Sequence, residues 1–110
     1  MQEPTFLILT AMADGAKHGY GLIQEVSTIT CGRVRLQTGT LYTTLDRLLR
    51  QGLVTVHSEE IVDGRKRRAY TLSGDGRSTL TAEAQRRRTT ATEAPRRLGV
   101  SLTRPTGTFA

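Results

Sequence analysis

Residues 38–54 read TGTLYTTLDRLLRQGLV, and the two sides of this stretch ask for different surroundings. Wound as a helix, Leu41, Leu45, Leu48 and Leu49 fall in a single stripe, the pattern of a helix buried along one face. The opposite side carries Gly39, Thr40, Thr43, Asp46, Arg47 and Arg50, with Tyr42 at the edge of the stripe. Thr38 is the expected N-cap, and Gly52 followed by Leu53 is the expected C-terminal stop with its apolar contact. Such a helix is anchored by leucines and shows the solvent a tip of glycine, hydroxyls and one aromatic ring.

Upstream, Pro4 suits a first helical turn, and Thr5 to Ala13 is apolar nearly all round, so it needs cover on two sides: the domain's own core and, on the other, a second subunit. Asp14 and Gly15 end it. The stretch HGYGLIQEVSTIT (18–30) places Leu22, Ile23, Val26 and Ile29 at helical spacing, and Gly32 closes it. Downstream, LVTVH (53–57) and AYTL (69–72) alternate as strands do. Asp63-Gly64 between them is a hairpin-turn dipeptide, so the strands pair antiparallel around a charged tip whose descending side is Arg65, Lys66, Arg67 and Arg68. Ser73 caps a fourth helix expected to run to about Thr92, with Pro95 breaking it.

The order helix, helix, helix, strand, tip, strand, helix predicts a mainly α fold with a small β-hairpin, a winged helix-turn-helix. We divide it as a winged helix over 1–76, a C-terminal dimerisation helix over 77–94 and a flexible basic tail over 95–110. In such a fold the third helix presents its outer face to a groove of double-stranded DNA. Small residues allow close approach to a phosphate strand, and hydroxyls and the helix N-terminus donate to phosphates. Thr methyls can touch thymine, and Arg47 can reach a guanine edge or a phosphate.

Charge agrees with a polyanionic partner. The 110 residues carry a net charge of +6, unevenly: residues 1–64 hold 5 basic and 7 acidic side chains, and 65–110 hold 11 and 3. The single Cys31 has no partner for an internal disulfide and reads as inert and partly buried, and one cysteine with two histidines gives no metal-ligand spacing. The longest apolar run, FLIL at 6–9 extended by AMA at 11–13, is far short of the ~18 residues of a membrane span. It has no basic flank for a secretory signal and no cationic face for a membrane surface. Arg86, Arg87 and Arg88 read as a solvated face of the fourth helix. These features predict a cytoplasmic protein without cofactor. Scattered carboxylates, no phosphate-cradling glycine loop and no nucleophile–base pair argue against an enzyme.

HGYGLIQEV (18–26), GTLYTTLDRLLRQGLV (39–54) and GRKRRAYTLSGDGR (64–77), in this order and spacing, resemble the PadR family of bacterial transcriptional regulators. The resemblance covers about residues 4–80. It implies a homodimer built by the first and C-terminal helices, repression at an operator, and release by a small aromatic or drug-like effector. It also implies DNA-reading roles for Thr38, Gly39, Thr40, Tyr42, Thr43 and Arg47 on the third helix and for Gly64, Arg65, Lys66 and Arg67 on the wing, with backbone contacts from Lys17, His18 and Tyr20. The chain departs from the family in two places. Leu41-Tyr42-Thr43 stands where LYP is common, and the fourth helix offers only Leu80, Leu98 and several alanines as apolar contacts. The competing reading is a winged helix that docks another protein through its apolar first helix.

Overall fold

The computed structural model describes residues 1–100. Its elements are α1 (Glu3–Ala11), β1 (Lys17–His18), α2 (Gly19–Ile29), α3 (Thr38–Arg50), β2 (Val54–Val62), β3 (Arg65–Leu72) and α4 (Gly74–Leu98). The leucine stripe of α3 lies where its spacing requires. Leu41, Leu45 and Leu48 are fully buried with Ile8, Leu9 and Met12 of the first helical segment, Leu22 and Val26 of α2, and Val54 of β2. Each such side chain contributes about 1.5–3 kcal/mol of burial. The apolar α1 packs on α2, α3 and α4 of its own chain, and its Thr5, Leu7, Ile8, Leu9 and Ala11 are buried.

The helix ends follow local chemistry, with two corrections to the sequence reading. Gln37, not Thr38, occupies the cap position of α3 and makes no side-chain capping bond; Thr38 is the first helical residue. At the other end the Gly52 N–H donates to Leu49 O and the Leu53 N–H to Leu48 O, with Gly52 at φ +74°, as the glycine-leucine stop requires. The end of α2 uses the same bonding, Gly32 N–H to Ser27 O and Cys31 N–H to Thr28 O, but here two residues take positive φ, Cys31 at +54° and Gly32 at +81°. That turn leaves Cys31 exposed, against the expectation of partial burial.

The sheet has order β1-β3-β2, so the hairpin gains a third strand that alternation could not reveal: Lys17 pairs with Tyr70 and His18 with Ala69. β2 and β3 run antiparallel from Val54↔Leu72 to Val62↔Arg65, with a bulge at His57. The hairpin is thus longer than its alternating segments, because the charged residues between them also pair. Asp63 and Gly64 both take positive φ, the geometry of a two-residue turn.

Ser73 joins three elements. Its Oγ accepts from the Gly76 N–H at 3.0 Å and donates to Gly52 O at 2.6 Å, and its N–H donates to Leu53 O. Gly76 lies so close to the Leu53 carbonyl that a Cβ there would overlap it. From this joint α4 continues through Pro95 to Leu98, past the expected stop. Glu93 pairs with Arg96 and Arg97 across the proline, bracing a last turn in which Pro95 has no N–H to donate to Ala91 O. Of the expected tail, residues 101–110 lie outside the described residues.

α4 is held to α1 by a polar knot. Arg87 lies over the Phe6 ring, 4.0 Å from its centroid, and pairs with Glu3 and Glu83. Glu83 is buried and also accepts from Arg86 at 2.6 Å. Bonds from Arg86 and then Arg87 pull its carboxyl down to about 2. The arginine run is therefore not a uniformly solvated face; only Arg88 of the three is unpaired among the described residues.

Candidate nucleic-acid interface

The N-terminal half of α3 turns Thr38, Gly39, Thr40 and Thr43 outward. Since Gln37 supplies no side-chain acceptor, the first amides of the helix point outward without a side-chain partner. Tyr42 is 44% exposed and its ring lies across Gly19, at the first turn of α2. There the ring forms one wall of a cleft of about 420 Å³. The start of α2 gives the cleft His18, Gly19 and Tyr20, α3 gives Tyr42 and Asp46, and the wing gives Lys66, Arg67 and Arg68 with Tyr70 at its base. Burial, and next the nearby Tyr42 phenol, raise the pKa of Tyr70, so this phenol stays neutral.

The wing divides its charges by face, because side chains alternate along a strand. Lys66 and Arg68 both reach Glu59, at 3.6 and 2.7 Å. The bond from Arg68, then the charge of Lys66, holds Glu59 below the usual carboxylate range, and Glu59 in turn raises Arg68. Arg65 and Arg67, on the alternate positions, form no ion pair among the described residues. They are the wing's uncommitted cations. Gly64 sits in the turn beside them, with φ +76°.

Two side chains expected to face outward are occupied within the fold. The Arg47 guanidinium donates to Thr5 Oγ1 at 2.6 Å, tying α3 to α1. The Lys17 ammonium donates to Ala11 O at 2.8 Å and pairs with Asp14, whose pKa it lowers. His18 Nε2 is shielded from solvent and makes no hydrogen bond, its nearest charged neighbour being Glu60 Oε1 at 3.5 Å. Of the sequence-derived residues, the cleft thus gathers His18, Tyr20, Tyr42, Lys66 and Arg67, with Thr38, Gly39, Thr40 and Thr43 on the exposed face of the same α3. Gly19, Asp46, Arg68 and Tyr70 join them. Asp46 could have been found from its place one turn beyond Tyr42; nothing local marks Tyr70.

Three helices, a hairpin wing and a cationic cleft between wing and third helix define a winged helix-turn-helix protein. The model of the PadR-like family of transcriptional regulators matches residues 8–82, and the chain belongs to that family. Transcriptional regulator Rv3488 of Mycobacterium tuberculosis is 43% identical to it over 76 residues, 69% of this chain and 67% of that protein. Among solved structures, a PadR family transcription regulator from Clostridium difficile R20291 superposes with a TM-score of 0.70 at 23% identity, covering 86% of this chain and 96% of that one. Bacillus subtilis PadR in complex with operator DNA superposes with a TM-score of 0.66 at 20% identity, covering 74% of this chain and 47% of that one. No helix among the described residues is long and apolar enough to cross a membrane.

Proposed function

We propose that this PadR-like regulator is a sequence-specific DNA-binding repressor that acts as a homodimer on a pseudo-palindromic operator. In this reading α3 enters the major groove of each half-site, with Thr38, Gly39, Thr40, Tyr42 and Thr43 toward bases and phosphates, while Arg65 and Arg67 of the wing hold the flanking backbone. The observation that carries it is the cleft uniting the start of α2, Tyr42 of α3 and the wing cations, beside two arginines with no internal partner. Arg47, which bonds to Thr5, and Lys17, which bonds to Ala11, are held at the edges of this surface and take part in contacts to the DNA backbone. The dimer forms through the outer part of α4, where Ala91, Ala94 and Leu98 are exposed, together with α1. A small aromatic or drug-like compound releases the DNA. The protein works in the cytoplasm.

Binding is tested by titrating DNA from upstream of its own coding region over a range of salt. Neutralising around six phosphates gives log K a slope of about −5 against log salt, and half-site centres lie about 34–36 Å apart. A slope near zero overturns the mechanism. Sedimentation of the same samples reads the dimer directly, and a strict monomer that ignores this DNA would instead favour a protein-docking module.

A further inference from the structure

A second concavity, of about 430 Å³, lies along the outer side of α2. Tyr20, Ile23, Gln24, Ser27 and Thr28 line it, spaced as one helical face, and Arg35 closes it from the segment leading into α3. Tyr20, 68% exposed, walls both this groove and the cleft at the wing, so the two concavities adjoin across a single ring. No carboxylate lines the groove, and Glu25 points to another side of α2 by helical periodicity. Arg35 is exposed and makes no ion pair or hydrogen bond among the described residues. The rest of the lining is chiefly neutral hydrogen-bonding groups: a phenol, an amide and two hydroxyls.

We propose that this groove is a second phosphate-binding lane, in which Arg35, with Gln24, Ser27 and Tyr20, holds the sugar-phosphate backbone of the same duplex on the far side of Tyr20 from the wing. The chemistry suits a phosphodiester. One unpaired guanidinium pairs with the phosphate anion, and uncharged donors complete its hydrogen bonds without reading sequence. The geometry suits it too, because a helix in a major groove about 12 Å wide is bordered by two backbones, and the wing meets only one of them. Arg35 precedes the recognition helix by three residues, so a phosphate held there fixes the depth and tilt at which α3 enters.

The inference rests on the DNA-binding reading, and one experiment separates their failures. Wild-type protein, Arg35→Ala, Arg35→Lys and the double variant Arg65→Ala/Arg67→Ala are titrated over a range of salt against upstream DNA and a random-sequence duplex, and footprinted with hydroxyl radical on the former. Losing one phosphate contact shallows the salt slope by about 0.9 and weakens binding roughly threefold to tenfold on both duplexes. Arg35→Lys restores the slope. The footprint loses protection at one edge, and the wing variant loses it at a different position. An Arg35→Ala protein with wild-type slope and footprint overturns the second lane while leaving the reading intact. Wild-type protein that binds neither duplex at low salt overturns both.

Discussion

The phenol of Tyr42, on α3, lies across the backbone of Gly19, on α2, so closely that a Cβ at residue 19 would overlap its hydroxyl and come within 2.9 Å of Cζ. The helices α2 and α3 are thereby set against each other by one ring and one missing side chain. The obstructing atoms end a movable side chain, so Gly19→Ala displaces the ring and does not unfold the protein. The expected outcome is a melting temperature within a few degrees of wild type and DNA affinity lowered about tenfold. Thermal melts and binding titrations check it; unaltered affinity would mean that Tyr42 serves packing alone.

Glu59 neutralises the wing face that carries Lys66 and Arg68. Glu59→Gln frees both cations for phosphates. We expect tighter binding to random-sequence DNA and a salt slope steeper by about 1–2, at little cost to folding, since all three side chains are well exposed. Weaker binding would show instead that Glu59 holds the wing in its binding shape.

Glu83 provides a pH signature. Its carboxyl is held at about 2 in the folded chain, below the usual value of 4.5, by Arg86 and then Arg87. A lowered folded value stabilises the native state fully above the unfolded pKa, and the stabilisation disappears as pH falls through the folded one. Melting temperature should therefore decline between about pH 5 and pH 2, and Glu83→Gln should flatten that part of the profile. Parallel profiles in the two proteins would remove Glu83 from the account of α1–α4 packing.

Cys31 occupies a left-handed position with φ +54°, which costs a side-chain-bearing residue about 1 kcal/mol more than glycine. Cys31→Gly should stabilise the protein by about that amount and raise the melting temperature by about 3–5 °C. Cys31→Val, branched at Cβ, should lower it. Scanning calorimetry on the two variants decides.

Several features of this chain are settled within a few residues of sequence. The stripe Leu41, Leu45, Leu48 specifies a buried helix face, Gly52-Leu53 specifies how the helix stops, and Asp63-Gly64 specifies a two-residue turn. Each is satisfied by backbone geometry and neighbours close in the chain, so periodicity and turn chemistry suffice to see it. Thr38 shows the margin of such reading: Gln37 takes the cap, and the hydroxyl moves into the helix's first turn.

What sequence could not give is where long polar side chains end. Arg47 has the spacing of an outward-facing residue, yet it bonds to Thr5, 42 positions away. Lys17 turns back to Ala11, Arg68 is claimed by Glu59, and Tyr42 settles on Gly19. An arginine or lysine reaches several partners from one backbone position, and only the packing of helices decides which is near enough to outcompete water. The sequence by itself determined the four helices, the hairpin and the side of α3 that faces the core; the tertiary structure decided where β1 pairs and which charges bond inside the fold, with Arg35, Arg65 and Arg67 left without an ion pair among the described residues.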